Sequence, residues 1–157
     1  MAEKRIVYQE SNGIASIVAP SPEFLASGGT MDDLLEKCVP ENCRDSANVV
    51  EVDTVPSDRT FRNAWVTEQG KSVEVDLAKA KDVAKDKVRE ARIPKFAELD
   101  IAYQRADEAG DADAKAAVVV KKQTARDATA DTKITNADSV DNLKTGMNEV
   151  IAEVNDL

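Results

Sequence analysis

Residues 58–66 read Asp-Arg-Thr-Phe-Arg-Asn-Ala-Trp-Val, and the chain changes character shortly after this stretch. Up to Val75 the sequence consists of short β-branched runs, turn residues and the single tryptophan, Trp65. From Asp76 onward, Ala, Val, Lys, Asp and Glu recur at helical spacing with few helix-breaking residues. The sequence therefore predicts an α+β chain, with a small β-rich head over residues 1–75 and an α-helical tail region over residues 76–157.

The head is expected to contain four or five short strands and one short helix. Asn12-Gly13 separates two β-prone runs, and Asn-Gly in that context is a strong signal for a β-hairpin. Gly70 marks the turn of a second hairpin, and Thr30 can cap a helix that Pro40 stops. The predicted elements are strands at residues 5–9, 14–19 and 47–54, a hairpin over residues 65–75, and a helix over residues 31–38.

The tail is expected to form a helical hairpin or bundle. Apolar residues recur every three or four positions from Leu77, which places them on one face of a helix. Pro94 is expected to break or kink this helix, or to be the first residue of the next one. Residues 132–136 are predicted to form a loop, after which Asp138 or Ser139 opens a last helix.

An acidic cluster at residues 107–113 admits two interpretations. A calcium-binding loop needs oxygen ligands at alternate positions, and Lys115 stands where a ligand would be required. Gly110 as the end of one helix and Asp111 as the N-cap of the next explain the same residues without metal. The second interpretation is favoured, and it predicts a helical hairpin that turns at Gly110.

The tail offers few large side chains for a core. No aromatic residue follows Tyr103, so the last third of the chain has only Ala, Val, Leu, Ile and Met to bury. Since apolar burial contributes about 25 cal/mol per Å², an alanine-lined tail is expected to gain little by folding on itself. We expect it to pack against another protein or another copy of the chain, which makes a homo-oligomer an expectation.

The chain carries 21 basic and 30 acidic residues, with a net charge of −9. Binding to nucleic acids and to anionic membranes depends on clustered Lys and Arg, so neither partner is expected. The longest apolar run, residues 116–120, is far too short to span a bilayer. The sequence predicts a soluble protein that is made in a cytoplasm.

Catalytic and metal-binding constellations are hard to place in this sequence. The chain has no histidine, which excludes Ser-His-Asp and Cys-His arrangements, and no glycine-rich phosphate loop precedes a helix. We therefore expect neither an enzyme nor a cofactor. Cys38 and Cys43 cannot complete a zinc site without further Cys or His ligands, so no metal is expected. A local disulfide between them is the alternative to reduced thiols, which are the default in a cytoplasm.

Four residues of the stretch 58–66 are candidates for binding a partner protein: Arg59, Phe61, Arg62 and Trp65. Arginine and tryptophan are enriched among the residues that contribute most to protein interfaces. The alternative is that Phe61 and Trp65 fill the core of the head, while the arginines pair with carboxylates. The sequence leaves the core and the interface roles equally open.

The stretch 58–66 overlaps a longer pattern of residues that is similar to a known group of proteins. The positions that carry this similarity are residues 59–65, Gly70, Val75-Asp76, Lys79-Ala80-Lys81, Lys87, Arg89, Ala91-Arg92, Pro94-Lys95, Leu99-Asp100, residues 103–111 and Lys122-Gln123. From Val55 to Thr129 the chain resembles a group of small tailed-bacteriophage proteins. Its layout, a small β head followed by helices, is also similar to that of tail-fibre assembly proteins.

The resemblance implies a tail-associated or tail-fibre-associated protein, whose partners are other phage tail or fibre proteins. One implied role is a structural component that docks on the tail or on a fibre and is located in the virion after synthesis in the host cytoplasm. The other is an assembly chaperone that binds immature fibre chains, stays in the host cytoplasm and is absent from the mature virion.

Overall fold

The computed structural model describes residues 3–157, which form two compact units. The first unit ends at Asp76 and the second begins at Leu77. Residues 3–76 contain five short β-strands, and residues 77–157 are mostly helical, which confirms the predicted α+β class. Residues 1 and 2 of the predicted head lie outside the described residues. Within residues 3–157, no helix combines the length and the apolar character that crossing a membrane requires.

Five strands form two antiparallel sheets in residues 3–76. Asn12-Gly13 turns the first hairpin, as predicted: Gly13 has a φ of +78°, and Asn12 Oδ1 accepts a 2.9 Å hydrogen bond from the Ile14 amide. The strands are β1 (Lys4–Gln9), β2 (Ala15–Val18), β3 (Asn48–Glu51), β4 (Trp65–Thr67) and β5 (Val73–Val75). β1 is the central strand of a sheet in the order β2-β1-β3, and β4 pairs with β5.

Two short helices follow β2, where the sequence predicts one. They are α1 (Pro22–Ala26) and α2 (Met31–Cys38). The additional helix α1 begins with Pro22 because Ser21 caps it, with the Ser21 hydroxyl accepting a 3.2 Å hydrogen bond from the Phe24 amide. α2 begins at the predicted cap, where Thr30 and Asp33 each accept a hydrogen bond from the other's backbone amide. The side-chain hydrogen bond from Thr30 lowers the pKa of the Asp33 carboxyl below its ordinary value.

β1 supplies side chains to both faces of its sheet, because successive residues of a strand point in opposite directions. Ile6 and Tyr8 belong to one buried cluster and Val7 to another. The first cluster also contains Leu34, Val39 and Cys43, and the second also contains Ala15, Val50, Trp65 and Val73. The sheet is therefore covered on one face by α2 with its flanking segments and on the other by the β4–β5 hairpin.

The turn of the β4–β5 hairpin packs tightly at Gly70. This residue has a φ of +69°, and a Cβ atom placed on it would lie 2.5 Å from the Ser46 carbonyl oxygen and 2.7 Å from that of Val7. The Asn48 side chain donates a hydrogen bond to the neighbouring Gln69 carbonyl. Glycine is required here because it has both the backbone freedom and the missing side chain.

The longest element is α3 (Leu77–Glu108), a helix of 32 residues that contains Pro94. The break predicted at Pro94 does not occur. A proline removes the hydrogen bond that would run to the Glu90 carbonyl, and its ring crowds the same turn. The helix continues because Val88 and Leu99, about three turns apart, lie on one buried face that packs against other helices.

Three further α-helices, α4 (Ala112–Asp127), α5 (Thr132–Thr135) and α6 (Val140–Asn155), and one 3₁₀ turn (Ala128–Ala130) complete the second unit. The predicted hairpin between α3 and α4 is confirmed. Gly110 has a φ of +66°, and Asp111 caps α4 by accepting a 2.9 Å hydrogen bond from the Ala114 amide. Ser139 caps α6 in the same way, with its hydroxyl 3.2 Å from the Asn142 amide nitrogen.

Residues 132–136 contain the short helix α5, so the prediction of a loop is wrong. Asp131 caps this helix by accepting a 2.8 Å hydrogen bond from the Lys133 amide, and Ile134 is fully buried. The helix lies close against α6 because Gly146 has no side chain. A Cβ atom there would lie 2.5 Å from the Lys133 carbonyl oxygen. Tertiary packing at this glycine favours a helical turn that local sequence does not indicate.

The tail also buries apolar side chains within its own helices, contrary to the expectation that it gains little by folding on itself. α3 packs against both α4 and α6. The buried positions of α3 are mostly small, which allows a close approach of the larger residues opposite. The buried residues of α3 are Ala80, Ala84, Val88, Leu99 and Ala106. The larger buried residues of α5 and α6 are Ile134, Leu143, Met147, Val150 and Val154.

We predict that Gly70→Ala destabilises the protein more than Gly110→Ala. Both glycines have a left-handed φ, so alanine costs roughly 1–2 kcal/mol at either position. Only at Gly70 does the added Cβ also meet backbone atoms, which adds about 1–3 kcal/mol, whereas the space around Gly110 is open. Urea unfolding followed by circular dichroism measures both free energies of unfolding. Equal losses would contradict the tight packing of the Gly70 turn.

Candidate docking surfaces

The stretch 58–66 forms a compact turn that leads into β4. The Asp58 carboxylate accepts hydrogen bonds from the Thr60 amide at 2.9 Å and from the Thr60 hydroxyl at 2.6 Å. A single 3₁₀ turn over Arg62–Ala64 follows, and the chain then extends into the strand at Trp65. The turn leaves Arg59, Arg62 and Asn63 exposed, and it buries Phe61, Ala64 and Trp65.

The four predicted partner-binding residues divide into two pairs. Phe61 and Trp65 retain only 2% and 1% of their accessible surface, so the interface role is corrected to a core role for both. Arg59 and Arg62 are exposed and face solvent. The two aromatic residues therefore belong to the core. Partner binding by this stretch stays a prediction for Arg59 and Arg62 only.

Trp65 is buried at an electrostatic cost. Within residues 3–157, its indole N–H has no hydrogen-bond acceptor. Leaving a buried donor unpaired costs about 1–3 kcal/mol. The apolar packing of the ring against Val7, Val50 and Val73 must exceed this cost for the residue to remain inside.

Cys38 and Cys43 are both free thiols, so the disulfide considered from the sequence is not formed. Cys38 is exposed at the last position of α2, whereas Cys43 is buried in the same cluster as Ile6 and Leu34. Among residues 3–157, no group of three or more His, Cys, Asp or Glu side chains is placed to hold a metal ion.

Ion pairs join α3 and α4 near the turn of their hairpin. Lys122 lies 2.6 Å from Asp100, and Lys115 pairs with Asp107. Both lysine ammonium groups also lie over the ring of Tyr103, at 5.0 Å for Lys115 and 4.9 Å for Lys122. The hydrogen bond to Asp107 raises the pKa of the Lys115 amine, and a hydrogen bond with Tyr103 acts in the same direction.

A second cationic contact joins the same two helices further from the turn. The guanidinium groups of Arg92 and Arg126 lie 5.8 Å and 5.7 Å from the centre of the Phe96 ring. Arg92 also donates to the carbonyl oxygens of Ala125 and Arg126, at 3.3 Å and 3.1 Å. These carbonyls belong to the last turn of α4, where they lack helical partners and favour positive charge.

A cavity of about 260 Å³ lies where the end of α4 meets α6, and three carboxylates line it. Each of these carboxylates already has a partner in the protein. Gln123 donates to Asp127, Asp131 caps α5, and Glu153 lies 2.5 Å from the Lys133 ammonium. These interactions account for the acidic lining of the cavity without a ligand.

The solvent side of α4 carries an apolar surface that the sequence analysis did not single out. We call Ala112, Ala116, Val119 and Val120 the α4 outer stripe. These positions lie within roughly 100° of one another around the helix. Val119 and Val120 are 49% and 65% exposed, whereas Val118 and Ala125 are buried on the other side. The signal was available in the unbroken apolar run 116–120, because five consecutive residues cannot all face one side of a helix.

The solvent side of α3 carries a second apolar surface. We call Ile93, Ala97 and Ile101 the α3 outer stripe. Steps of four residues keep the three on one face, and the two isoleucines are 67% and 51% exposed. Apolar surface of this kind on the outside of a helix is typical of sites that bind another protein.

No protein-family model matches the chain, and neither a curated protein nor a solved structure matches it.

We predict that Trp65→Ala lowers the free energy of unfolding by about 3–5 kcal/mol, because it empties a packed site. Trp65→Phe should cost much less, since it keeps an aromatic ring and removes the unpaired N–H. Arg62→Ala should change stability by no more than about 0.5 kcal/mol, as expected for an exposed position. Denaturant unfolding followed by far-ultraviolet circular dichroism measures all three. A fully stable Trp65→Ala variant would refute the core role.

Proposed function

We propose that the chain is a non-catalytic docking component of a bacteriophage tail or tail-fibre assembly, and that the α4 outer stripe contacts its partner. The phage assignment is supported by the resemblance over Val55 to Thr129, which includes all of α3 and all of α4. The docking role is supported by apolar side chains that the tail exposes to solvent although it has buried others.

The observation that carries the proposal is the exposure of Val119 and Val120 on a helix that already buries Val118 and Ala125. Full burial of a valine side chain contributes about 1.5–3 kcal/mol, so covering the exposed part of each residue contributes roughly 1 kcal/mol. Two such contacts beside Ala112 and Ala116 give a small apolar centre of the kind found in protein interfaces. A phage tail or fibre protein is the proposed occupant.

Arg59 and Arg62 are proposed as a second contact with tail or fibre proteins. Both are exposed, and arginine is enriched in protein interfaces because its planar guanidinium group binds carboxylates in a fixed geometry. The first unit would then bind through charged groups and the second through apolar ones.

Quantitative mass spectrometry of purified, washed particles tests whether the protein is located in the virion. We expect recovery in a fixed ratio to the known tail proteins of the phage that encodes the chain. Absence from the particles, combined with abundance in infected cells, would contradict the virion role. It would favour an assembly chaperone that remains in the host cytoplasm.

We predict that Val120→Glu reduces incorporation into particles at least tenfold, because docking would have to bury an unpaired charge. Ala152→Glu is the matched control, since it adds the same charge at an exposed position of α6 outside the stripe. Circular dichroism checks that both variants keep the helical content of the parent protein. Equal incorporation of the two variants would exclude the α4 outer stripe as the docking surface.

A further inference from the structure

The α3 outer stripe is bordered by two charges of opposite sign. Glu90 precedes Ile93 by three residues, and Arg105 follows Ile101 by four. These spacings place both charged residues on the same face of the helix as the three residues of the stripe. Both charged residues are exposed. Neither takes part in an ion pair within residues 3–157.

Some other charges on this part of α3 are paired, within the helix or with α4, whereas Lys87 takes part in no ion pair within residues 3–157. Arg89 lies 2.5 Å from Asp86, and Lys95 lies 3.0 Å from Glu98. Glu90 and Arg105 lie at nearly equal distances along the helix on either side of Ala97. Along the stripe and its borders the order is therefore a carboxylate, Ile93, Ala97, Ile101 and a guanidinium group.

We propose that the α3 outer stripe binds the same stripe of a second copy of this chain, with the two helices antiparallel and related by a two-fold axis at Ala97. In this arrangement Ile93 lies opposite Ile101 of the second copy. Glu90 lies beside Arg105 of the second copy, and the contact occurs twice by symmetry. This surface is distinct from the α4 outer stripe, which leaves that stripe free for a tail or fibre protein.

A second copy is the occupant because a two-fold interface must be complementary to itself, and this face is. A parallel arrangement would place Glu90 beside Glu90 and Arg105 beside Arg105, which is repulsive. The antiparallel arrangement pairs opposite charges at both ends. The small side chain of Ala97 at the centre allows the two helices to approach to the usual packing distance of about 8–10 Å.

Two like-charge approaches accompany the antiparallel arrangement, and the first brings Lys87 of each chain near Arg105 of the other. In the second, Asp86 of each chain comes near Glu108 of the other, beyond the ends of the stripe. Arg89 reduces this repulsion, because it already neutralises Asp86 within the same helix. The modest apolar area between the charged ends indicates a dimer that forms as the concentration rises, rather than an obligate one.

Sedimentation velocity of the full chain over a concentration series tests the proposal by charge exchange. Glu90→Arg and Arg105→Glu should each weaken dimerisation at least tenfold, because each variant alone places like charges side by side. The double variant Glu90→Arg/Arg105→Glu should dimerise like the parent protein. An equimolar mixture of the two single variants should form a mixed dimer, since the charges are then complementary at both ends.

Glu149→Arg, an exposed charge reversal on α6, is the matched control and should leave dimerisation unchanged. Circular dichroism checks that every variant keeps its helical content. A parent protein that stays monomeric throughout the series would overturn the proposal. So would a dimer that the single variants leave intact, or that neither the double variant nor the mixture restores. Incorporation into particles is a separate measurement, so failure here leaves the proposed function standing.

Discussion

The buried face of α3 runs past Pro94 without interruption, and the packing of the second unit depends on it. A proline inside a helix costs about 3 kcal/mol or more through the lost hydrogen bond and the crowded turn. Burial of Val88 on one side of Pro94, and of Leu99 and Ala106 on the other, offsets that cost. Two separate helices would allow the two halves of this face to turn relative to each other. One continuous helix fixes the positions at which α4 and α6 can pack.

The same continuity places charged and aromatic side chains of α3 beside those of α4. Phe96 and Tyr103 lie between pairs of cations, and Asp100 and Asp107 each pair with a lysine. Such contacts near solvent contribute little individually, but several together define the register of two antiparallel helices. The register in turn leaves the apolar residues at Ile93, Ile101, Val119 and Val120 on the outside.

Elements with a local cause could be predicted from the sequence. Asn12-Gly13, Thr30, Gly110 and Ser139 each act through hydrogen bonds or backbone conformations within a few residues, and the structure has turns or caps at all four. The uninterrupted helix at Pro94 and the short helix α5 depend on packing between distant segments. No local pattern contains that information.

The exposure of the candidate residues also depends on packing between distant segments. Phe61 and Trp65 are residue types that occur both in cores and in interfaces, and only the fold shows that both are buried. The outer stripes do not stand out in the sequence, because apolar residues at helical spacing fit a buried face as well as an exposed one. Which face of a helix is covered depends on its neighbours, whereas the presence of apolar residues on two faces was readable from residues 116–120.

The unequal burial of the two cysteines gives the protein an internal reporter of its own opening. Cys38 is accessible to an alkylating reagent while the first unit is folded, whereas Cys43 is enclosed by Ile6, Tyr8 and Val39. A brief pulse of reagent therefore labels Cys38 in every molecule. It labels Cys43 only in those molecules in which α2 and its flanking segments have separated from the sheet. The ratio of doubly to singly labelled protein then measures the population of that open state under native conditions, without any added probe.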